Sequence, residues 1–219
     1  MSSRCCRPPA SEYRRFFGGR LVRMDLRGYR KKGLPKSARA LAADVDGDTV
    51  LDIGGGLGTL ALELLGRGAS RATVVEISDG YDEAAAKLAA EHELGDRVER
   101  RIGDFVEEAD LVDPHDVVVL HRVVCCYPDA DALVTAAATH ARHSLALTYP
   151  RRRRLTRFGF GLGNVWMRVT RCGFRAYVHP FEAISEPAER EGLELVRREP
   201  QGLVWENAVF ERVPTSASV

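Results

Sequence analysis

The chain reads as an α/β protein built on a doubly wound, mostly parallel sheet. Three observations predict this. From about residue 49, short apolar β-rich runs alternate with stretches of helical spacing; a glycine-dense turn joins the first run to the first such stretch; and two final strand-like runs have no room for a helix between them.

Before the sheet, residues 11–32 place Phe17, Leu21 and Met24 on one helical face among arginines, Gly33 supplies a stop, and Pro35 can start a second short helix. Five parallel strands are expected at Thr49–Ile53, Ala72–Ile77, Val98–Gly103, Val117–Leu120 and Leu145–Tyr149. Leu60, Ala61, Leu64 and Leu65 recur at helical spacing after the first, as do Tyr81, Ala84, Ala85 and Leu88 after the second. An alanine-rich run from Asp129 to His143 is a third helix. Residues 151–180 read as irregular, and a helix follows at about Phe181–Glu191. Leu193–Arg198 and Leu203–Phe210, joined by Glu199-Pro200-Gln201-Gly202, make an antiparallel hairpin. Residues 1–45 are expected as a basic helical lid, and 46–219 as one catalytic or binding domain with a basic insertion at 151–180.

The 219 residues suit one globular domain, and 45% apolar with 29% charged residues excludes a disordered chain or a disulfide-dense miniprotein. A net charge of +1 conceals strong segregation. Residues 1–40 hold twelve basic residues against two acids, and residues 151–175 hold eight arginines and no acid. Both stretches need an anionic counterpart, in an acceptor molecule, in the protein's own acidic remainder or in anionic lipid. Five cysteines, with Cys5–Cys6 and Cys125–Cys126 adjacent, do not form a disulfide framework. Four thiolates could gather around zinc, but adjacent side chains diverge and the spacing is no zinc signature, so no metal is expected. With no apolar leader and no spanning run, a cytoplasmic location is expected.

The densest signal is Val50-Leu51-Asp52-Ile53-Gly54-Gly55-Gly56-Leu57-Gly58, an apolar strand carrying an acid and running into glycines ahead of a helix. Glycine permits a tight turn and lets a ligand lie on the backbone, while the helix start offers unpaired N–H groups. A nucleotide-like ligand follows. Glu76, 18 residues beyond Gly58, stands where a carboxylate can accept both hydroxyls of a ribose. Gly56-Leu57-Gly58-Thr59-Leu60-Ala61 also satisfies the weaker dinucleotide fingerprint, so an NAD-binding oxidoreductase is a competing reading. Asp104 could simply cap the next turn, and Phe105 could be core.

Asp52 makes the segment D-x-G-x-G-x-G, which resembles motif I of class I S-adenosyl-L-methionine-dependent methyltransferases. That resemblance implies a Rossmann-like seven-stranded sheet of order 3-2-1-4-5-7-6 with the last strand antiparallel. It further implies S-adenosylmethionine lying against Asp52, Gly54, Gly55, Gly56 and Gly58, its ribose on Glu76 beside Ile77, its adenine near Asp104 and Phe105, and His121 at its methionyl end. Arg27-Gly28-Tyr29-Arg30-Lys31-Lys32-Gly33-Leu34, Arg97 through Phe105, and His121-Arg122-Val123-Val124-Cys125-Cys126-Tyr127-Pro128 further resemble the magnesium-protoporphyrin O-methyltransferase-like group, over most of residues 20–212. The group's name implies esterification of a porphyrin propionate.

Displacement at a sulfonium methyl needs alignment more than acid–base help. A carboxylate acceptor is already ionised at neutral pH, whereas a phenol would need a base, for which His121 is the leading candidate and Tyr127 the second. The expected partner is thus a small, partly apolar, acidic or phenolic molecule, with peripheral membrane contact left open. A nucleic-acid methyltransferase is disfavoured, because Cys126-Tyr127-Pro128 matches neither an N/D-P-P-aromatic tetrad nor a Pro-Cys pair. A non-catalytic cofactor-binding module remains an alternative.

Overall fold

Alternation within the strands sorts the apolar side chains onto two faces of one sheet. A computed structural model describes residues 9–213. In β1 (Thr49–Ile53), Val50 joins one core cluster, while Leu51 and Ile53 join the other. The same division separates Val117 and Val119 from Val118 and Leu120 in β4 (His115–His121) and Ala146 from Leu145 and Leu147 in β5 (Ala141–Pro150). Burial on both faces is what a central parallel sheet demands, and every residue of β1 is buried.

The sheet has seven strands in the order β3-β2-β1-β4-β5-β7-β6, adding β2 (Arg71–Glu76), β3 (Val98–Ile102), β6 (Leu193–Gln201) and β7 (Trp205–Arg212). The first five strands are parallel, and β7 runs antiparallel to both neighbours. One face carries α3 (Lys36–Ala43) and α4 (Thr59–Gly66); the other carries α7 (Ala130–His140) and α9 (Glu182–Arg190). Beside α4 lie α2 (Arg20–Lys32) and α5 (Asp82–Glu91), joined through Val22, Leu62, Tyr81 and Leu88. No helix among the described residues is long and apolar enough to cross a membrane.

The strand order and hairpin agree with the sequence; β5 begins four residues earlier than expected and β4 two, and four further boundaries differ. The helix expected over 11–32 is broken at Gly18–Gly19 into α1 (Ala10–Phe16) and α2, because Gly19 takes φ +45° and a side chain at Gly18 would stand 2.6 Å from the Arg14 carbonyl oxygen. Residues 151–180 are not wholly irregular: α8 (Arg154–Val169) runs sixteen residues through three glycines. The alanine-rich helix stops at His140 rather than His143, where Arg212 takes the terminal carbonyls, donating to Ala138 at 2.8 Å and Ala141 at 2.9 Å. The hairpin strands extend to Gln201 and start at Trp205, which moves the turn two residues onward.

α3 is stitched to the far end of the chain. Buried Asn207 on β7 donates to the Ser37 carbonyl at 2.9 Å and accepts from the Thr148 hydroxyl at 2.7 Å. Asn207→Ala strands both partners in a dry interior, and urea unfolding is expected to show a loss of about 1–3 kcal/mol. A loss below about 0.5 kcal/mol would mean that Leu41 and its apolar neighbours hold α3 without the polar tie.

Candidate functional site

The strands β1, β2 and β4 end at one edge of the sheet, at the point where the strand order reverses, and a cavity of about 580 Å³ opens there. Its floor is the turn from Gly54 to Gly58, which enters α4 with φ of +66°, +54° and +72° at Gly54, Gly56 and Gly58. Gly55 lies over Asp52 so closely that a Cβ would stand 2.6 Å from Oδ2 of the carboxyl. Asp52 is 1% exposed, and its Oδ2 has no hydrogen-bond partner among the described residues. Burial therefore drives its pKa up to about 7, against the opposing pull of the Ala61 amide and the Arg100 guanidinium.

Glu76 ends β2, buried, and accepts from Gly56 N–H through Oε2 and from Ser78 N–H through Oε1, both at 3.0 Å. Burial raises its pKa too, while those amides oppose the rise. The Ile77 amide also acts on the carboxylate, so the backbone takes part of its acceptor capacity and leaves the remainder toward the cavity. Arg100 compensates from outside the cavity wall, donating to the Gly56 carbonyl at 3.1 Å and to Asp82 at 3.0 Å.

Asp104 opens α6 (Phe105–Glu108) as its N-cap, accepting from Val106 N–H at 3.0 Å. Its Oδ1 also accepts from the Tyr127 hydroxyl at 3.0 Å. Phe105 is core, edge-on to His140 at 5.2 Å, yet it reaches the cavity as well, as does Ile77. Asp104 is thus a helix cap and Phe105 a core residue, and both also line the cavity. His121, the last residue of β4, shares a 3.0 Å hydrogen bond with the Ser37 hydroxyl. Burial, and then the neighbouring Arg122 charge, lower its pKa to about 3.

All the expected residues except Gly58 line one cavity or, as with Asp52, lie directly beneath its floor. Gly58 instead makes the αL entry to α4. Cys125 and Cys126 are held within their own turn, both sulfurs within 3.6 Å of the Arg122 carbonyl oxygen. Cys5 and Cys6 lie outside the described residues.

Several wall residues have no motif. Tyr13 on α1 is buried and donates to the Cys126 carbonyl at 3.0 Å, and Asp25 on α2 accepts from Tyr81 at 2.7 Å; these contacts close the N-terminal helices over the cavity. Arg122 has φ +63°, a conformation uncommon outside glycine. Its guanidinium donates to the Ser37 hydroxyl at 3.2 Å and lies 4.6 Å from the Trp205 ring centre. Its Nε is buried without a partner among the described residues; no carboxylate among them lies within ion-pair distance, and Asp25 acts on the guanidinium through space. The left-handed backbone has no sequence signal; the chain order His121-Arg122 at the end of an expected strand is the only hint.

Residues 50–144 match the family model described as a methyltransferase domain. None of the curated proteins matches the sequence significantly. Among solved structures, magnesium protoporphyrin IX methyltransferase from Synechocystis PCC 6803, with bound S-adenosylhomocysteine, superposes at TM-score 0.66 with 23% identity, covering 93% of this chain and 94% of that one. An O-methyltransferase family protein from Burkholderia thailandensis aligns at TM-score 0.70 and 18% identity over 88% and 58% of the two chains. An O-methyltransferase family 2 protein from Planctomyces limnophilus in complex with apigenin aligns at 0.67 and 20% over 93% and 62%.

The Asp52 carboxyl has a consequence that can be measured without any ligand. It ionises near pH 3.8 when exposed but near 7 when folded, so stability falls as pH rises through that window. Asp52→Asn removes the loss, and its melting temperature is expected to exceed that of the wild type at about pH 8, with the gap closing by about pH 4. A variant that melts lower than the wild type at both pH values would show that the carboxyl is ionised in the folded chain.

Proposed function

We propose that this chain, an S-adenosylmethionine-dependent methyltransferase, esterifies a carboxylate on a small, partly apolar acceptor. The observation that carries the reading is Arg122, a half-buried cation facing the cavity with its Nε unpartnered and no carboxylate within ion-pair distance among the described residues, Asp25 acting on it only through space. A cation so placed calls for an anionic ligand.

The cavity floor fits the cofactor. Glycines at 54 to 56 leave the backbone bare, and Glu76 retains acceptor sites for a pair of hydroxyls. In this reading Glu76 binds the ribose, Ile77 and Phe105 flank the adenine, and Asp104 fixed by Tyr127 faces its amino group. Asp52 supports the turn from below. When bound, S-adenosylmethionine supplies an electrophilic methyl on a sulfonium that departs as a neutral thioether.

The chain's own part is alignment and exclusion of water. With its pKa near 3, His121 is neutral but too weak a base to activate a phenol, which favours an acceptor oxygen already ionised. His121 and Ser37 then position the reacting ends, while Arg122 draws in the carboxylate. The Synechocystis neighbour, named for magnesium protoporphyrin IX, supports a flat acidic acceptor of this kind.

The test is turnover with S-adenosylmethionine and magnesium protoporphyrin, following S-adenosylhomocysteine and the porphyrin mass together. A porphyrin heavier by one methyl group is the expected result. Methylated phenols from a small acceptor panel, with no ester from any carboxylate, would overturn the reading. Glu76→Gln is expected to weaken S-adenosylhomocysteine about tenfold or more by calorimetry, since one acceptor oxygen becomes a donor and the other loses its charge. Arg122→Gln should leave that affinity unchanged and raise KM for the carboxylate acceptor about tenfold. Turnover should stay flat from about pH 6 to 8.5, where a phenolic acceptor would climb.

A further inference from the structure

We propose that α8 seats this protein on a membrane surface rich in anionic phospholipid. Plotted at 3.6 residues per turn, the helix has three sectors. One faces the body of the protein: Thr156 and Met167 are buried, Phe160 packs edge-on to Trp205 at 6.4 Å, and Asn164 exchanges hydrogen bonds of 2.8 and 2.9 Å with the Ala176 backbone. A second, about 100° wide, holds Leu155, Phe158, Leu162, Val165, Trp166 and Val169. These six are between 58% and 75% exposed. The third, bordering the apolar stripe, carries Arg154, Arg157 and Arg168, all exposed.

An apolar row of this size normally has a partner. Charge decides which one. The same segment carries eight arginines and no acid from 151 to 175. The fold sets Glu12 on the Gly173 N–H at 2.6 Å and Glu206 3.8 Å from Arg151, but Arg153, Arg154, Arg157 and Arg168 form no ion pair among the described residues, and further arginine is added beside them. Arg15 on α1 donates to the Arg171 carbonyl at 3.1 Å, and Phe16 stacks on Phe174 at 4.3 Å. Aromatic contact therefore holds two basic segments together against their mutual repulsion. A second copy seated on the stripe would bring arginines to face arginines. A bilayer surface instead supplies an apolar layer for the stripe and dense phosphate for the arginines, with the Trp166 ring at headgroup depth. Tyr13 and Phe17, which line the cavity, belong to the same contact, so an acceptor dissolved in the membrane would meet the cavity at the bilayer surface.

Flotation of the full chain with vesicles tests this. Binding is expected to phosphatidylcholine vesicles containing phosphatidylglycerol, not to phosphatidylcholine alone, and to be reversed by about 0.5 M salt. Leu162→Glu combined with Trp166→Glu should reduce binding about tenfold or more, with an unchanged melting temperature because both side chains face solvent. Arg153→Gln, Arg154→Gln and Arg157→Gln together should reduce it comparably through charge alone. No binding to the anionic vesicles, or unaltered binding by either variant, would overturn the proposal. So would a dimer in vesicle-free solution that the Leu162→Glu, Trp166→Glu variant dissociates and that does not bind lipid. Vesicle binding needs neither cofactor nor acceptor, so failed methyl transfer and failed docking are separate results.

Discussion

The ligand end of this fold depends on how tightly the first turn is pressed onto the sheet. Asp52 lies in β1 between Val74 and Val119, and the chain returns directly over its carboxyl at Gly55. A Cβ at 55 would meet Asp52 and Val74 from below, and one at 54 would meet Val123 from the side at 2.6 Å. Only bare backbone fits between those layers. That compression brings Gly56 N–H onto Glu76 and sets the axis of α4. The carboxyl pays with its hydration, and its raised pKa reflects that burial.

Charge across the cavity follows from the same geometry. The floor gathers Asp52 and Glu76, two buried carboxyls with Arg100 behind them, while Arg122 stands at the end of β4 with only Asp25 acting on it from a distance. A zwitterionic cofactor with an anionic acceptor would complete such a field, because fixed charges in a poorly solvated pocket act strongly on whatever enters. The positive φ at Arg122 belongs to this arrangement. The residue keeps its N–H on the Thr148 carbonyl at 3.1 Å and its own carbonyl on the Cys125 and Cys126 thiols, while its side chain is carried over Trp205 and toward Ser37.

Sequence reasoning recovered the parts whose signals are local. Strand alternation, the glycine turn and the carboxylate ending β2 each follow from a few neighbouring residues, and the strand order came with the family resemblance. What it missed depends on contacts distant in sequence. The break at Gly18–Gly19 was hidden by a continuous helical pattern on either side. In α8, the apolar residues interleaved with arginines are plain in the sequence, but three glycines mask the helix that gathers most of them into one stripe. Asp25 and Tyr13 reach the cavity, and Ser37 reaches the His121 side chain that lines it, only because α1 to α3 fold back, and no residue near them announces their partners Tyr81, Cys126 and His121.

The tie between Ser37 and Asn207 spans 170 residues. Ser37 in turn holds His121 and Arg122, so the second-to-last strand pairing of the chain helps set the geometry of a wall built from its first forty residues. During synthesis, the residues of the glycine turn and of β2 emerge long before β7, whereas the Ser37 tie must wait for it. A nascent chain would therefore pass through a stage with the glycine turn already present and the Ser37 side of the cavity not yet held.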